Sequence, residues 1–221
     1  MDHAPLPLPP EGDASLDRHA RILNAAERCF VRAGFHRTTM QDVAAEAGMS
    51  PGNLYRYFRS KEALVLGITE RDRSRVIEDF ASLATGADFF ERFGALGRKH
   101  FEDEPREKAI LCLQIWAEAA RDATFARITE DFDSIVVTRM TELFREAQER
   151  GLIAATVDPG ALAILLSTIG DGLFVRRAIS RDFDASRDVA YVMAVIEAAF
   201  AGRIHFPVRP DAVNGPNKDQ A

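Results

Sequence analysis

The sequence predicts an all-α chain of about nine helices, and three observations carry that prediction. Apolar residues recur at the helical period through most of the 221 residues, whereas strand-like alternation is nearly absent. Helix punctuation is dense, with Thr, Ser and Asp ahead of periodic runs and glycines behind them. The composition, 47% hydrophobic and 28% charged, suits a globular core of good size and contains no run of the roughly 20 apolar residues that a membrane span needs.

Taken in order, residues 1–14 are acidic and hold Pro5, Pro7, Pro9 and Pro10, so they read as a mobile tail and not as a signal peptide. The LPLPP run has the form of a polyproline ligand, but short Pro-rich termini are more often simply disordered. The first helix is expected from about Leu16 to Ala33, with Leu16, Ala20, Leu23, Phe30 and Val31 inward and Gly34 as its stop. Ser60 caps a helix running from Lys61 to about Ala84, with Leu64, Ile68, Val76 and Phe80 inward and Arg71, Arg73 and Arg75 facing water. Phe89, Phe90, Phe93, Leu96, His100 and Phe101 form the next stripe, and Pro105 opens a helix through Ile110, Leu113, Trp116 and Ala117. A long helix from about Thr124 to Arg150 ends at Gly151. Asp158-Pro159 starts the apolar segment Ala161–Ile179, and Asp184 caps a last helix through Phe200. This organisation places a first domain at 15–60, a larger helical domain at 61–204 and a flexible tail at 205–221.

Charge is unevenly spread. The chain totals −6, yet residues 15–75 carry eleven Lys and Arg against seven Asp and Glu, an excess of four. Such asymmetry fits one end meeting a polyanion, although a local excess is often only a solvated face. Cys29 and Cys112 lie in apolar helical patterns without CxxC spacing or neighbouring histidines, so reduced thiols are expected, with no disulfide and no metal site. A cytoplasmic protein follows from these features.

Chemistry concentrates between Thr38 and Leu64. Thr39 and Asp42 are spaced as a capping box for a short helix Met40–Ala47, and Gly48 permits a sharp turn. Ser50-Pro51 then supplies an N-cap and a first-turn proline for a second short helix. Val43, Ala44, Met49, Leu54 and Phe58 must pack on the first helix, which makes a helix-turn-helix unit. Gly52, Asn53, Tyr55, Arg56 and Tyr57, with Arg59 and Lys61 behind them, stay available as hydrogen-bonding and cationic groups on a rod narrow enough for a DNA major groove. Phe58, four residues after Leu54, belongs to the buried face, and Tyr55 and Tyr57 cannot both share it.

This run resembles the DNA-binding domain of TetR/AcrR-family transcriptional regulators over about residues 17–64: the capping Thr39, the Ala44-Ala45-x-x-Gly48-Met49-Ser50 turn, Leu54-Tyr55-x-x-Phe58 and Lys61 all fall in register. The resemblance implies that Thr39, Gln41, Pro51, Gly52, Asn53, Tyr55, Arg56 and Tyr57 approach double-stranded DNA, with Lys61 on a phosphate. Side-chain chemistry then makes Arg56, Asn53 and Gln41 the base readers and Thr39, Tyr55, Tyr57 and Lys61 backbone positioners.

The family also implies a C-terminal domain that binds a small-molecule effector and forms a homodimer. Gly170 and Gly172 interrupt an otherwise apolar segment, and the last helix adds Val189, Val192, Met193, Ile196 and Phe200, so a four-helix interface of two copies is expected, against the alternative of a monomer interior. Such a dimer, carrying about +8 on its DNA-facing side, reads a palindrome whose half-sites lie about one DNA turn apart, and salt weakens the binding. Repression is the family's common mode. Effector candidates are Phe93, His100, Cys112, Trp116, Phe125 and Phe174, within an aromatic-rich set that also holds Phe89, Phe101, Phe132 and Phe144 and points to an apolar or aromatic ligand. Glu118, Asp171 and Arg176 are further polar anchors, equally readable as surface or paired residues, and the helix from Lys61 is the natural lever between the two domains.

Two rival readings differ in class. An enzyme lacks support: the P-loop, GxGxxG, HExxH and GxSxG motifs are absent, and His3, His19, His36, His100 and His205 are scattered, so no catalytic residue and no cofactor is assigned. A redox regulator sensing through Cys112 is opposed by apolar neighbours that raise a thiol pKa.

Overall fold

The computed structural model describes residues 11–83 and 88–204, whose regular structure is all helix, with no strand. The α-helices are α1 (Glu11–Ala33), α2 (Met40–Glu46), α3 (Pro51–Leu54), α4 (Lys61–Leu83), α5 (Phe89–Arg98), α6 (Arg106–Ala119), α7 (Ala123–Glu149), α8 (Pro159–Ile179) and α9 (Ala185–Phe200), with a π-helical turn at Lys99–Asp103 after α5. The expected tails at 1–14 and 205–221 fall outside the described residues except at 11–14, which belong to α1.

Helix ends follow the local code. Thr39 and Asp42 close the reciprocal capping box of α2, the Asp42 amide donating to the Thr39 hydroxyl and the Thr39 amide to the Asp42 carboxylate. Ser50 accepts from the Asn53 amide, Ser60 from Ala63, Asp158 from Gly160 and Ala161, and Asp184 from Arg187. Gly48 takes φ +67°, a value costly for any other residue, and thereby turns the chain from α2 into the Ser50 cap.

The chain divides into two compact units. The first holds residues 1–76, 105–134 and 174–181, and the second 77–104, 135–173 and 182–221. The start of α4, all of α6, the first part of α7 and the end of α8 belong with the helix-turn-helix segment in the first unit.

In the first unit Ile22, Leu23, Ala25, Ala26, Cys29 and Phe30 of α1 pack with Val43 and Ala44 of α2, Leu54 and Phe58, Leu64, Val65 and Ile68 of α4, Leu111 of α6 and Phe125 of α7. Leu16 and Ala20 are exposed, contrary to the expected inward face, because that core begins only at Ile22. Gly67 lets α4 lie close to its neighbours: a Cβ there would lie 2.9 Å from the Phe58 ring and 3.0 Å from Leu23. Arg71 does not face water either. It reaches Glu27 of α1 at 2.8 Å and Asp72 at 3.4 Å, while Lys108 of α6 bonds both of those carboxylates.

The second unit is built on aromatics. Phe89 and Phe93 of α5, Phe144 of α7 and Phe200 of α9 touch ring to ring. Val189, Ile196 and Phe200 are therefore buried inside their own chain, which corrects the expectation that they face a partner. On α9 the exposed apolar side chains are Tyr191 and Val195, and on α8 of this unit Ile164.

Candidate nucleic-acid interface

The reading element is short. Only Pro51–Leu54 is α-helical, and the chain continues in tightened turns, with the Arg56 amide donating to Asn53 and the Tyr57 amide to Leu54. A stretch this brief holds its shape because Leu54 and Phe58 are locked in the core. Pro51, Gly52, Tyr55 and Arg56 are exposed, Asn53 and Tyr57 are half-buried, and Gln41 and Thr39 are exposed at the start of α2. Tyr55 is the tyrosine turned outward, at 44% exposure.

Three of the residues read as backbone positioners carry internal bonds. The Thr39 hydroxyl donates to Asp42 at 2.6 Å, and the hydrogen bonds from Thr39 hold the Asp42 carboxyl below its ordinary pKa. The Lys61 ammonium donates to the carbonyls of Phe35 at 2.7 Å and His36 at 3.3 Å and sits 4.4 Å over the Phe35 ring. It thus fastens the α1–α2 loop to the start of α4. The Tyr57 hydroxyl accepts from Arg18 of α1 at 3.1 Å, and its ring meets that of His19 edge-on at 5.7 Å.

Ion pairing sorts the basic residues of this region. Arg28 and Arg32 share Glu46, Arg71 pairs with Glu27 and Asp72, Arg73 with Glu70, and Arg75 with Asp72. Arg18, Arg21, Arg37, Arg56, Arg59 and Lys61 have no carboxylate partner among the described residues. Arg56 and Arg59, on and just after the reading element, are among these cations.

Sequence reasoning missed several structural residues here. Thr38 is buried and donates to the carbonyls of Cys29 and Gly34, locking the end of α1. His36 lies 3.0 Å from Glu118 of α6. The His36–Glu118 contact leaves no spacing signal, since its partners, 82 residues apart, meet only through tertiary packing.

The effector candidates divide between the two units, Cys112, Trp116, Phe125 and Phe174 in the first and Phe93 and His100 in the second. Phe125 packs edge-on against Phe35 at 4.9 Å in the core of the first unit, beside a void of about 10 Å³ that also touches Leu111, Gln114 and Glu118, room for one water molecule. Trp116 and Phe174 form an edge-to-face pair at 6.4 Å, and Cys112 on α6 is half-buried. Phe93 belongs to the ring cluster of the second unit. His100, in the π-helical turn, lies 3.2 Å from Asp79, and burial pushes its imidazole below the ordinary pKa although Asp79 pulls the other way. Among the described residues no cluster of His, Cys, Asp and Glu could hold a metal ion, and no helix is long and apolar enough to cross a membrane.

Comparison with known proteins is informative over nearly the whole described chain. The family model for bacterial regulatory proteins of the tetR family matches residues 22–68, and the model for the C-terminal domain of BetI-type transcriptional repressors matches residues 91–201. The HTH-type transcriptional regulator UidR of Escherichia coli is 28% identical over 153 residues, 69% of this chain and 78% of UidR. The HTH-type transcriptional repressor Rv1474c of Mycobacterium tuberculosis is 26% identical over 168 residues, 75% of this chain and 84% of that protein. The structure of Salmonella enterica GusR superposes with a TM-score of 0.71 at 27% identity, over 84% of this chain and 96% of GusR.

Proposed function

The chain belongs to the TetR family of DNA-binding transcriptional regulators, and from that premise we propose that it is a repressor that grips a palindromic operator as a homodimer and lets go when a small apolar or aromatic effector binds. The observation that carries the DNA side is the capped α2–Gly48–α3 turn presenting Tyr55 and Arg56 amid arginines that lack carboxylate partners. Arg56, Asn53 and Gln41 read base edges. Thr39, Pro51, Gly52, Tyr55 and Tyr57 set the register on the backbone, and Lys61 faces the same strand while bracing the α1–α2 loop.

Dimerisation uses Ile164 of α8 with Tyr191 and Val195 of α9, whose large apolar side chains are 47%, 66% and 44% exposed. Two copies of these helices make a four-helix seam, and the two-fold axis gives the operator its palindrome. The effector contacts proposed are Trp116, Phe174 and Cys112, whose apolar surfaces suit an aromatic ligand. Release requires only that the ligand bind better to a conformer that fits the operator poorly, and α4, continuous from the reading unit into the second, is the covalent route for that preference.

The test is a footprint on the DNA upstream of the chain's own gene, followed by release assays with a panel of small aromatic compounds. A protected palindrome released by one compound is the expected result. Absence of protection at low ionic strength overturns the operator reading, and protection indifferent to every compound overturns the effector reading.

A further inference from the structure

We propose that Arg18, on the first helix and outside the helix-turn-helix motif, forms with the Tyr57 hydroxyl a two-pronged clamp for one DNA backbone phosphate. The inference rests on the operator-binding reading above and assigns to it a contact that the reading element alone does not supply.

Arg18 is exposed and has no carboxylate partner among the described residues. The acceptor it takes is the neutral Tyr57 hydroxyl, at 3.1 Å. Arg28 and Arg32, lower on the same helix, instead share Glu46. A guanidinium has five N–H donors in a rigid fork, and a phenol leaves most of them and the whole positive charge unspent. The arrangement also orients the phenol. With a lone pair of its oxygen occupied by the Arg18 donor, and its ring edge-on to His19, which also meets the Phe58 ring, the Tyr57 O–H points away from the guanidinium. Among the described residues it donates to no acceptor.

Two donors of one charged pair, a guanidinium N–H and a phenolic O–H, thus stand side by side at the flank of the reading element. They match the two non-bridging oxygens of a phosphodiester, and the charge-assisted bond is the stronger of the two. Such a contact fixes register and carries no base preference. The 39-residue separation between Arg18 and Tyr57 hides the pair from any spacing rule.

The probe is a 30-base-pair duplex that the full-length protein enriches from a random-sequence pool. Failure to enrich any duplex refutes the operator reading itself. With the enriched duplex, methylphosphonates replace the phosphates one position at a time. The wild type is expected to lose about ten-fold in affinity when one particular phosphate of each half-site is neutralised. Arg18→Gln should bind about ten-fold more weakly, show no further loss at that one position, keep the wild-type ranking of operator variants and flatten the salt slope by about one unit per half-site. Tyr57→Phe should point to the same phosphate, and the double variant should lose less than the two single losses combined. The clamp is refuted if Arg18→Gln keeps the wild-type methylphosphonate profile and salt slope, or if it weakens binding evenly at all positions together with a lowered Tm, as a merely structural residue would.

Discussion

Replacing Lys108 by Met tests the charge network that joins α1, α4 and α6. The ammonium of Lys108 bonds Glu27 at 3.1 Å and Asp72 still more closely, and all three side chains are only about one-fifth exposed, at 19%, 22% and 19%. Met preserves the apolar stem and removes the charge alone. Deleting one partner of a fully buried pair costs about 3–5 kcal/mol, but here Arg71 remains 2.8 Å from Glu27 and 3.4 Å from Asp72, so the loss is about 2 kcal/mol. For a chain of this size that corresponds to a fall of about 4–8 °C in Tm, read by circular dichroism at fixed protein concentration. The pH dependence is diagnostic. Burial alone would lower the Lys108 pKa, but Asp72 and Glu27 together carry it above its ordinary value. Its stabilisation is therefore fully present below the unfolded lysine pKa of about 10.4 and disappears as pH rises through the higher folded value. The Tm gap between wild type and Lys108→Met should stay constant from neutral pH to about pH 9 and close only above about pH 10.5. No gap at neutral pH, or a gap that survives strong alkali, would refute the electrostatic account.

Other perturbations probe single local arguments. Gly67→Ala drives a methyl into the Phe58 ring and Leu23, where little room exists, and should cost about 1–3 kcal/mol in urea unfolding. Thr39→Ala removes half of the α2 capping box and should cost about 1 kcal/mol, with faster amide exchange confined to α2. Burial holds the His100 pKa below its ordinary value, so the neutral imidazole stabilises the fold above about pH 6.5 and that contribution is lost as pH falls through the lower folded value. The wild-type Tm should accordingly drop more than that of His100→Gln between pH 7.5 and 5. Arg56→Ala should relax base preference at one operator position in a binding-site selection, whereas Lys61→Ala, by freeing the Phe35 and His36 carbonyls, should lower Tm as well as affinity.

Where the controlling interactions are local, the sequence was readable. The caps at Thr39, Ser50, Ser60, Asp158 and Asp184 each span two or three residues, so their chemistry appears in the residue order itself. The same holds for Gly48, where the turn demands a positive φ. Periodicity misjudged α1, whose apolar stripe begins at Leu16 although the core begins at Ile22, because a periodic pattern cannot say how far a neighbouring helix extends. It erred likewise at Val189, Ile196 and Phe200, which one chain already buries. The Arg56 side of the candidate interface was legible as exposed polar chemistry, while Arg18 was invisible beside it.

Residue order by itself determined the helix inventory, the turn between α2 and α3, and the family to which they belong, since backbone conformation there is set by side chains a few positions away. Tertiary packing alone decided which cations are spent and which are free. Arg71 and Lys108 meet acids, Lys61 meets two carbonyls and Arg18 meets a phenol. An electrostatic partner is chosen by distance in space, and helix crossings bring together groups that no interval along the chain predicts.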